Sequence, residues 1–167
     1  MKAISDSASL IHLAKIGRIV MLKRIFDEIL IPKKIYEEVI EKGKELEKSE
    51  IFEIQKLIDE KFIKIIEVSS NLEILSLDDG EKEAISLCKE IKIKTILIDE
   101  KEGFNFASMI NLTPIRTTSL LLIFLDKKII NFNEYKESLK ELSESGYFLD
   151  AITYERLLDA GKEIVKR

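Results

Sequence analysis

The acidic residues of this chain fall into two groups. Many lie in mixed runs such as "EKGKELEKSE" (residues 41–50), a pattern that reads as a solvated loop or helix surface. Four others stand apart: Asp6 in "KAISDSASL", Glu38 in "IPKKIYEEV", Glu81 in "LDDGEKEAISLC" and Asp99 in "TILIDEKEG". Asp6 and Asp99 each follow a short apolar run, Glu81 opens an amphipathic one, and Glu38 lies beside apolar positions. Each has an ordinary explanation, since Asp6, Asp79 and Asp99 can cap helices, Glu81 can complement a helix dipole and Glu38 can be a surface charge. Brought together, however, carboxylates repel one another unless something positive lies between them. An oxygen-only donor set suits a hard divalent cation, Mg²⁺ or Mn²⁺, whose remaining positions take water or phosphate oxygens.

The elements that must position these acids follow from apolar periodicity. Lys2–Ser5, "EILIP", "FIKIIEV", "KTILID" and "LTPI" read as strands, of which "KTILID" has the clearest buried pattern. Helices are predicted over Ala8–Ile16, ending near Gly17, and over Val20–Phe26, Ile51–Ile58 and Lys101–Ile110. Pro32 suits the first turn of a helix that carries Ile35, Val39 and Ile40. Asp78 or Asp79 can cap a helix built on Ala84, Ile85, Leu87, Cys88 and Ile91, and another helix begins near Thr118. Strands alternating with helices predict an α/β fold, a three-layer α/β/α sandwich on a mainly parallel sheet. After Leu125 the pattern is helical, with a last helix over Asp150–Val165. On this scaffold Asp6 and Asp99 fall at the carboxyl edge of one sheet, where open α/β folds place their chemistry.

Composition narrows the classes. With 167 residues and 46% hydrophobic content, one compact domain over 1–167 is expected, residues 127–167 forming a helical C-terminal extension. A net charge of −4 gives no overall basic footprint, although it leaves room for local clusters of either sign. Cys88 is the single cysteine and reads as a core thiol. The N-terminus lacks the order of a signal peptide, and no apolar run approaches the ~18 residues of a membrane span. A cytoplasmic protein without a membrane partner is expected. No G-x-G-x-x-G follows the first strand, and no Gly-Lys-Ser/Thr occurs, which excludes dinucleotide-binding and P-loop enzymes. Ala8 stands where a haloacid-dehalogenase-like phosphatase needs a second Asp.

The combination "SDSASLIHLAKIG", "LIPKKIYEEV", "LDDGEKEAISLC" and "TILIDEKEG", in this order and spacing, resembles the PIN-domain superfamily. It is most similar to a PIN-like group of small prokaryotic proteins related to VapC-type toxins, and the likeness covers nearly the whole chain. What the resemblance implies is a Rossmann-like fold and a Mg²⁺- or Mn²⁺-dependent ribonuclease site. Asp6, Glu38, Glu81 and Asp99 would be its catalytic and metal-binding acids, and Ser7 a small polar neighbour of the first. Glu37 stands beside Glu38, Asp79 and Glu83 flank Glu81, and Glu102 lies three residues beyond Asp99, so each is an alternative at its place. Related proteins carry a Gly-Thr-x-Gly turn where this chain has "RTTSLL"; Thr118 matches the threonine, while Thr117 and Leu120 stand at the glycines. Thr118 is read first as a helix N-cap, and otherwise with Arg116 as a substrate contact.

The implied activity is hydrolysis of phosphodiester bonds in single-stranded RNA, as in the toxin of a toxin–antitoxin pair. The alternative is a PIN-like module that binds RNA or protein without cleaving. The implied partners are RNA, an antitoxin protein and a second copy of the chain, the last suggested also by "LLLIFL" (Leu120–Leu125), whose other reading is core. Lys15, Arg24, Lys101, Arg116, Lys127 and Lys128 are candidate phosphate contacts. His12, the only histidine, lies between apolar neighbours and is expected to be partly buried and not catalytic.

Overall fold

The computed structural model describes residues 1–70 and 72–167. Five parallel strands, β1 (Lys2–Ser5), β2 (Glu28–Pro32), β3 (Ile63–Ile66), β4 (Thr95–Leu97) and β5 (Thr113–Ile115), form one sheet in the order β3-β2-β1-β4-β5. The register pairs Ile4 with Leu30 on one side of β1 and with Ile96 on the other. Between the strands run α1 (Ser7–Lys15), α2 (Lys33–Tyr36), α3 (Lys42–Glu45), α4 (Ile51–Asp59), α5 (Asp79–Ile91) and α6 (Lys101–Met109). The chain closes with α7 (Thr117–Asp126), α8 (Phe132–Glu144) and α9 (Ala151–Val165). Helix α1 packs against α4 and against α7, α2 packs against α5, and α5 also covers β1, β2 and β4. This is the three-layer α/β sandwich with a C-terminal helical region that the alternation of strands and helices predicts.

The apolar runs of the three central strands, β1, β2 and β4, are buried on both faces. Ala3, Ile4, Ile29, Ile31, Ile96 and Leu97 have no exposed surface, and burying an Ile or Leu fully is worth roughly 1.5–3 kcal/mol. Cys88 is in this core, and burial pushes its thiol up to about 12, so it stays neutral and inert. The C-terminal helices start at strong local signals: Asn131 and Glu134 form a reciprocal capping box, and Asp150 caps α9 through Thr153.

Four elements differ from the sequence expectation, one of them the helix that carries Ile35, Val39 and Ile40, which a π-helical turn over Glu37–Glu41 interrupts. Val20–Phe26 is instead a 3₁₀ helix over Ile19–Arg24, whose buried Ile19 and Leu22 are three apart, the period of that helix. Pro32 ends β2 and stands at the N-cap of α2 instead of in its first turn. Arg116, not Thr118, occupies the N-cap of α7, and both Thr117 and Thr118 are buried in its first turn. The "LLLIFL" stretch fills the interior through Leu120, Leu121, Phe124 and Leu125, with α8 and α9 packed on its helix.

Candidate functional site

Strands β1 and β4 are neighbours, but the chain leaves β1 toward β2 on one side and β4 toward β5 on the other. Such a switch in direction opens a crevice at the carboxyl ends of the two strands. Asp6 stands there. Its backbone N–H donates to Leu97 O (2.9 Å), extending the pairing of the strands. Its Oδ1 accepts from the Ser9 N–H (2.8 Å) and caps α1, while Oδ2 accepts from the Asp99 N–H (3.3 Å). Asp6 is therefore both a helix cap and a sheet-edge acid. In front of it lies a cleft of about 370 Å³ lined by Asp6, Ser7, Ser76, Asp78, Glu81, Glu100 and Glu102.

Glu81 enters this cleft from the first turn of α5. Asp78 Oδ1 accepts from the Glu81 N–H (2.8 Å), and Glu81 Oε2 accepts from the Asp78 N–H (3.0 Å), a capping box legible in "DDGE". The other oxygen, Oε1, is buried without any partner, in a residue only 6% exposed. An orphaned carboxylate oxygen is costly unless a cation or ordered water meets it. Gly103 makes room for it: a Cβ there would lie 2.5 Å from Glu81 Oε1 and 2.5 Å from Ile98 Cδ1. Gly103→Ala should thus displace the Glu81 carboxylate while adding helix propensity of about 1 kcal/mol. The expected result is Mn²⁺ binding at least ~10-fold weaker with a melting temperature that falls little, checked by calorimetry beside thermal melts.

Glu38 comes from a π-helical turn, Glu37–Glu41, between α2 and α3, and is absent from the cleft lining, although it neighbours Asp78, which lines it. The extra residue in such a turn re-aims the side chains around it. A Cβ at Gly80 would lie 2.9 Å from Glu38 Oε2, which places the carboxylate over the start of α5 beside Asp78. Asp99 follows β4, as the apolar run predicts, but is absent from the cleft lining. Its Oδ1 accepts from the Thr117 N–H (2.8 Å) and the Tyr147 hydroxyl (3.1 Å). Its Oδ2 accepts from the Thr117 hydroxyl (2.6 Å) and faces His12 Nδ1 at 3.0 Å.

These surroundings set the charges. Burial, and next the Asp99 charge, push the Asp6 carboxyl up to about 8. Burial likewise raises Glu81, with Asp78, Glu100 and Glu102 adding repulsion, and raises Glu38, with Asp78 adding to it. Burial also acts upward on Asp99, but hydrogen bonds from His12 and Thr117 prevail and hold it below its ordinary value. Among the described residues, no three His, Cys, Asp or Glu side chains already converge as a metal site. The donor set nonetheless fits a hard cation, because the raised acids and the orphaned Glu81 oxygen are what a positive charge between them would satisfy.

Ser7 lines the cleft, and Arg116 lies over the Phe104 ring at 4.5 Å. No Lys or Arg lines the cleft among the described residues. Sequence reasoning misses Glu100, a cleft residue overshadowed by Asp99, and it misses Thr117, which contacts Asp99 where Thr118 is the expected match. It also misses Tyr147, whose "SESGYFLD" context carries no local signal.

A family model described as PIN domain matches residues 2–163. Among solved structures, the chain is similar to a PilT N-terminus domain protein, SSO1118, from the hyperthermophilic archaeon Sulfolobus solfataricus P2. The two share 16% identity over 72% of this chain and 90% of that one, with a TM-score of 0.54, a likeness of fold. A search of curated proteins returned no match. No helix among the described residues is long and apolar enough to cross a membrane.

Proposed function

This chain belongs to the PIN-domain family, a nuclease-like fold, and from that premise we propose that it is a metal-dependent endoribonuclease hydrolysing phosphodiester bonds in single-stranded RNA. The observation that carries the reading is Glu81, which lines an acid-rich cleft at the switch point of a parallel sheet and keeps a buried carboxylate oxygen, Oε1, without a partner. Asp6 and Glu81 would hold Mg²⁺ or Mn²⁺, with Glu100 and Glu102 on the same cleft and Glu38 beside Asp78. Such an ion, when bound, lowers the pKa of a water and neutralises charge on the scissile phosphate.

The chain's own residues do the rest. Asp6 is fixed by two backbone N–H donors, so its carboxylate is pre-oriented and needs no side-chain reordering to bind. Glu81 Oε2 is held by its capping box, which leaves Oε1 as the oxygen without a partner. Ser7 offers a hydroxyl in the cleft, and Arg116, steadied by Phe104 at the N-cap of α7, would offer a cation for a flanking phosphate, with Thr118 buried in the first turn of that helix. The acidic cleft repels nucleic acid until its charge is neutralised, which makes substrate binding itself cation-dependent. An antitoxin protein covering the cleft is the protein partner this reading carries. A homodimer loses its motivation from Leu120–Leu125, since that stretch is interior.

Labelled single-stranded RNA and duplex DNA incubated with the protein and Mn²⁺ test the proposal. Cleavage of the RNA, its loss in chelator and a loss of at least ~100-fold in Glu81→Gln are expected. Comparable cleavage of duplex DNA overturns the substrate class, and RNA binding with no Mn²⁺-dependent cleavage leaves the non-catalytic module.

A further inference from the structure

Asp99 differs from the other acids at the sheet edge in having its carboxylate fully occupied by the protein. A carboxylate offers about four lone-pair sites. Those of Asp99 face the Thr117 N–H, the Thr117 hydroxyl, the Tyr147 hydroxyl and His12 Nδ1, at 2.6–3.1 Å. Its own N–H meanwhile donates to Asp6 Oδ2. A cation could reach Asp99 only by displacing one of these donors.

We propose that Asp99 is a positioning residue and not a metal ligand: clamped by His12, Thr117 and Tyr147, it fixes the end of β4 so that Asp6 on one side and Glu100 and Glu102 on the other keep their places in the cleft. The clamp draws on three separate parts of the chain. His12 comes from α1, Thr117 from the start of α7, and Tyr147 from the turn after α8. Gly146 makes that turn possible, since its φ of +99° is open to glycine and strained for other residues. The Tyr147 N–H then donates to Leu142 O (3.2 Å), which brings the ring back over the sheet edge. There the rings of His12 and Tyr147 meet edge to face, 4.9 Å apart at 73°, so the two side chains brace each other. The C-terminal helical region thereby becomes part of the site, by supplying the tyrosine.

The inference rests on the reading of the cleft as a cation site, and the test separates the two. Asp99→Asn preserves the clamp. Its amide oxygen accepts from the Thr117 N–H and the Tyr147 hydroxyl, and its NH₂ donates to the Thr117 oxygen and to the other tautomer of His12. Mn²⁺ affinity of the whole chain, measured by calorimetry, should stay within about threefold of wild type, the size of one screened charge. Asp99→Ala removes the clamp and should weaken Mn²⁺ binding about 10-fold or more, so that asparagine rescues what alanine loses. Tyr147→Phe gives an independent sign: freeing an Asp99 lone pair strengthens Mn²⁺ binding if Asp99 is a ligand, and weakens it if Asp99 is a clamp. A loss in Asp99→Asn as deep as in Glu81→Gln, or tighter binding in Tyr147→Phe, overturns the proposal alone. Absence of Mn²⁺ binding by the wild-type chain overturns the cation reading and the proposal with it.

Discussion

Asp6→Asn is expected to reduce Mn²⁺-dependent RNA cleavage by more than the ~100-fold that loss of an outer-shell partner can cause, while the metal-free protein becomes more stable. The two effects have one origin. Asp6 is 3% exposed and lies against Asp99, so its charge is unfavourable in the fold and is of use only to a cation. Asparagine caps a helix about as well as aspartate, so the bond from the Ser9 N–H survives. The weaker contact from the Asp99 N–H, at 3.3 Å, would face an NH₂ group, a loss of about 1 kcal/mol. Relief of the buried charge exceeds that loss. A plain helix cap gives the opposite pattern, with activity and Mn²⁺ affinity nearly unchanged. Cleavage assays beside thermal melts in chelator decide between them, and unaltered Mn²⁺ affinity in Asp6→Asn would sink the site.

The parts of this site that could be read from the sequence are those whose cause is local. Asp6 and Asp99 are placed by the apolar runs before them, and Glu81 by the first turn of a helix that Asp78 or Asp79 can cap, because strand burial and helix capping act over a few residues. The orientation of Asp99 has a different cause. Its partners lie 87, 18 and 48 residues away, at His12, Thr117 and Tyr147, and no spacing rule connects them. The π-helical turn at Glu38 is similar, since "IYEEVIE" suits an ordinary helix and the extra residue is a matter of packing. The 3₁₀ helix at Ile19–Arg24 was closer to hand, because its two buried residues already repeat at three. Family resemblance supplied the identity of the acids; the fold supplied which of them share a cleft.

The metal-free chain should lose stability as pH rises from about 4 to about 8, and Asp6→Asn should remove most of that slope. The sign follows from where protons bind. The Asp6 carboxyl moves from 3.8 to about 8 on folding, so between those values the folded chain holds a proton that the unfolded chain has released. Stability then falls with rising pH, being fully present below about 4 and lost as pH passes the folded value near 8. Glu81 and Glu38 are raised as well and act in the same direction from 4.5 upward. Asp99 is lowered, so its contribution is lost only as pH falls below its ordinary 3.8, outside this window. A shift of this size corresponds to at most about 6 kcal/mol, or on the order of 10–20 °C in melting temperature for a chain of this length. Mn²⁺ reverses the trend, because it binds the deprotonated acids and binds them better as pH rises. Melts of wild type and Asp6→Asn in chelator at pH 5 and pH 8 isolate the Asp6 share as a difference. Equal slopes in the two proteins would show that Asp6 is not the buried, charge-frustrated acid that a cation site requires.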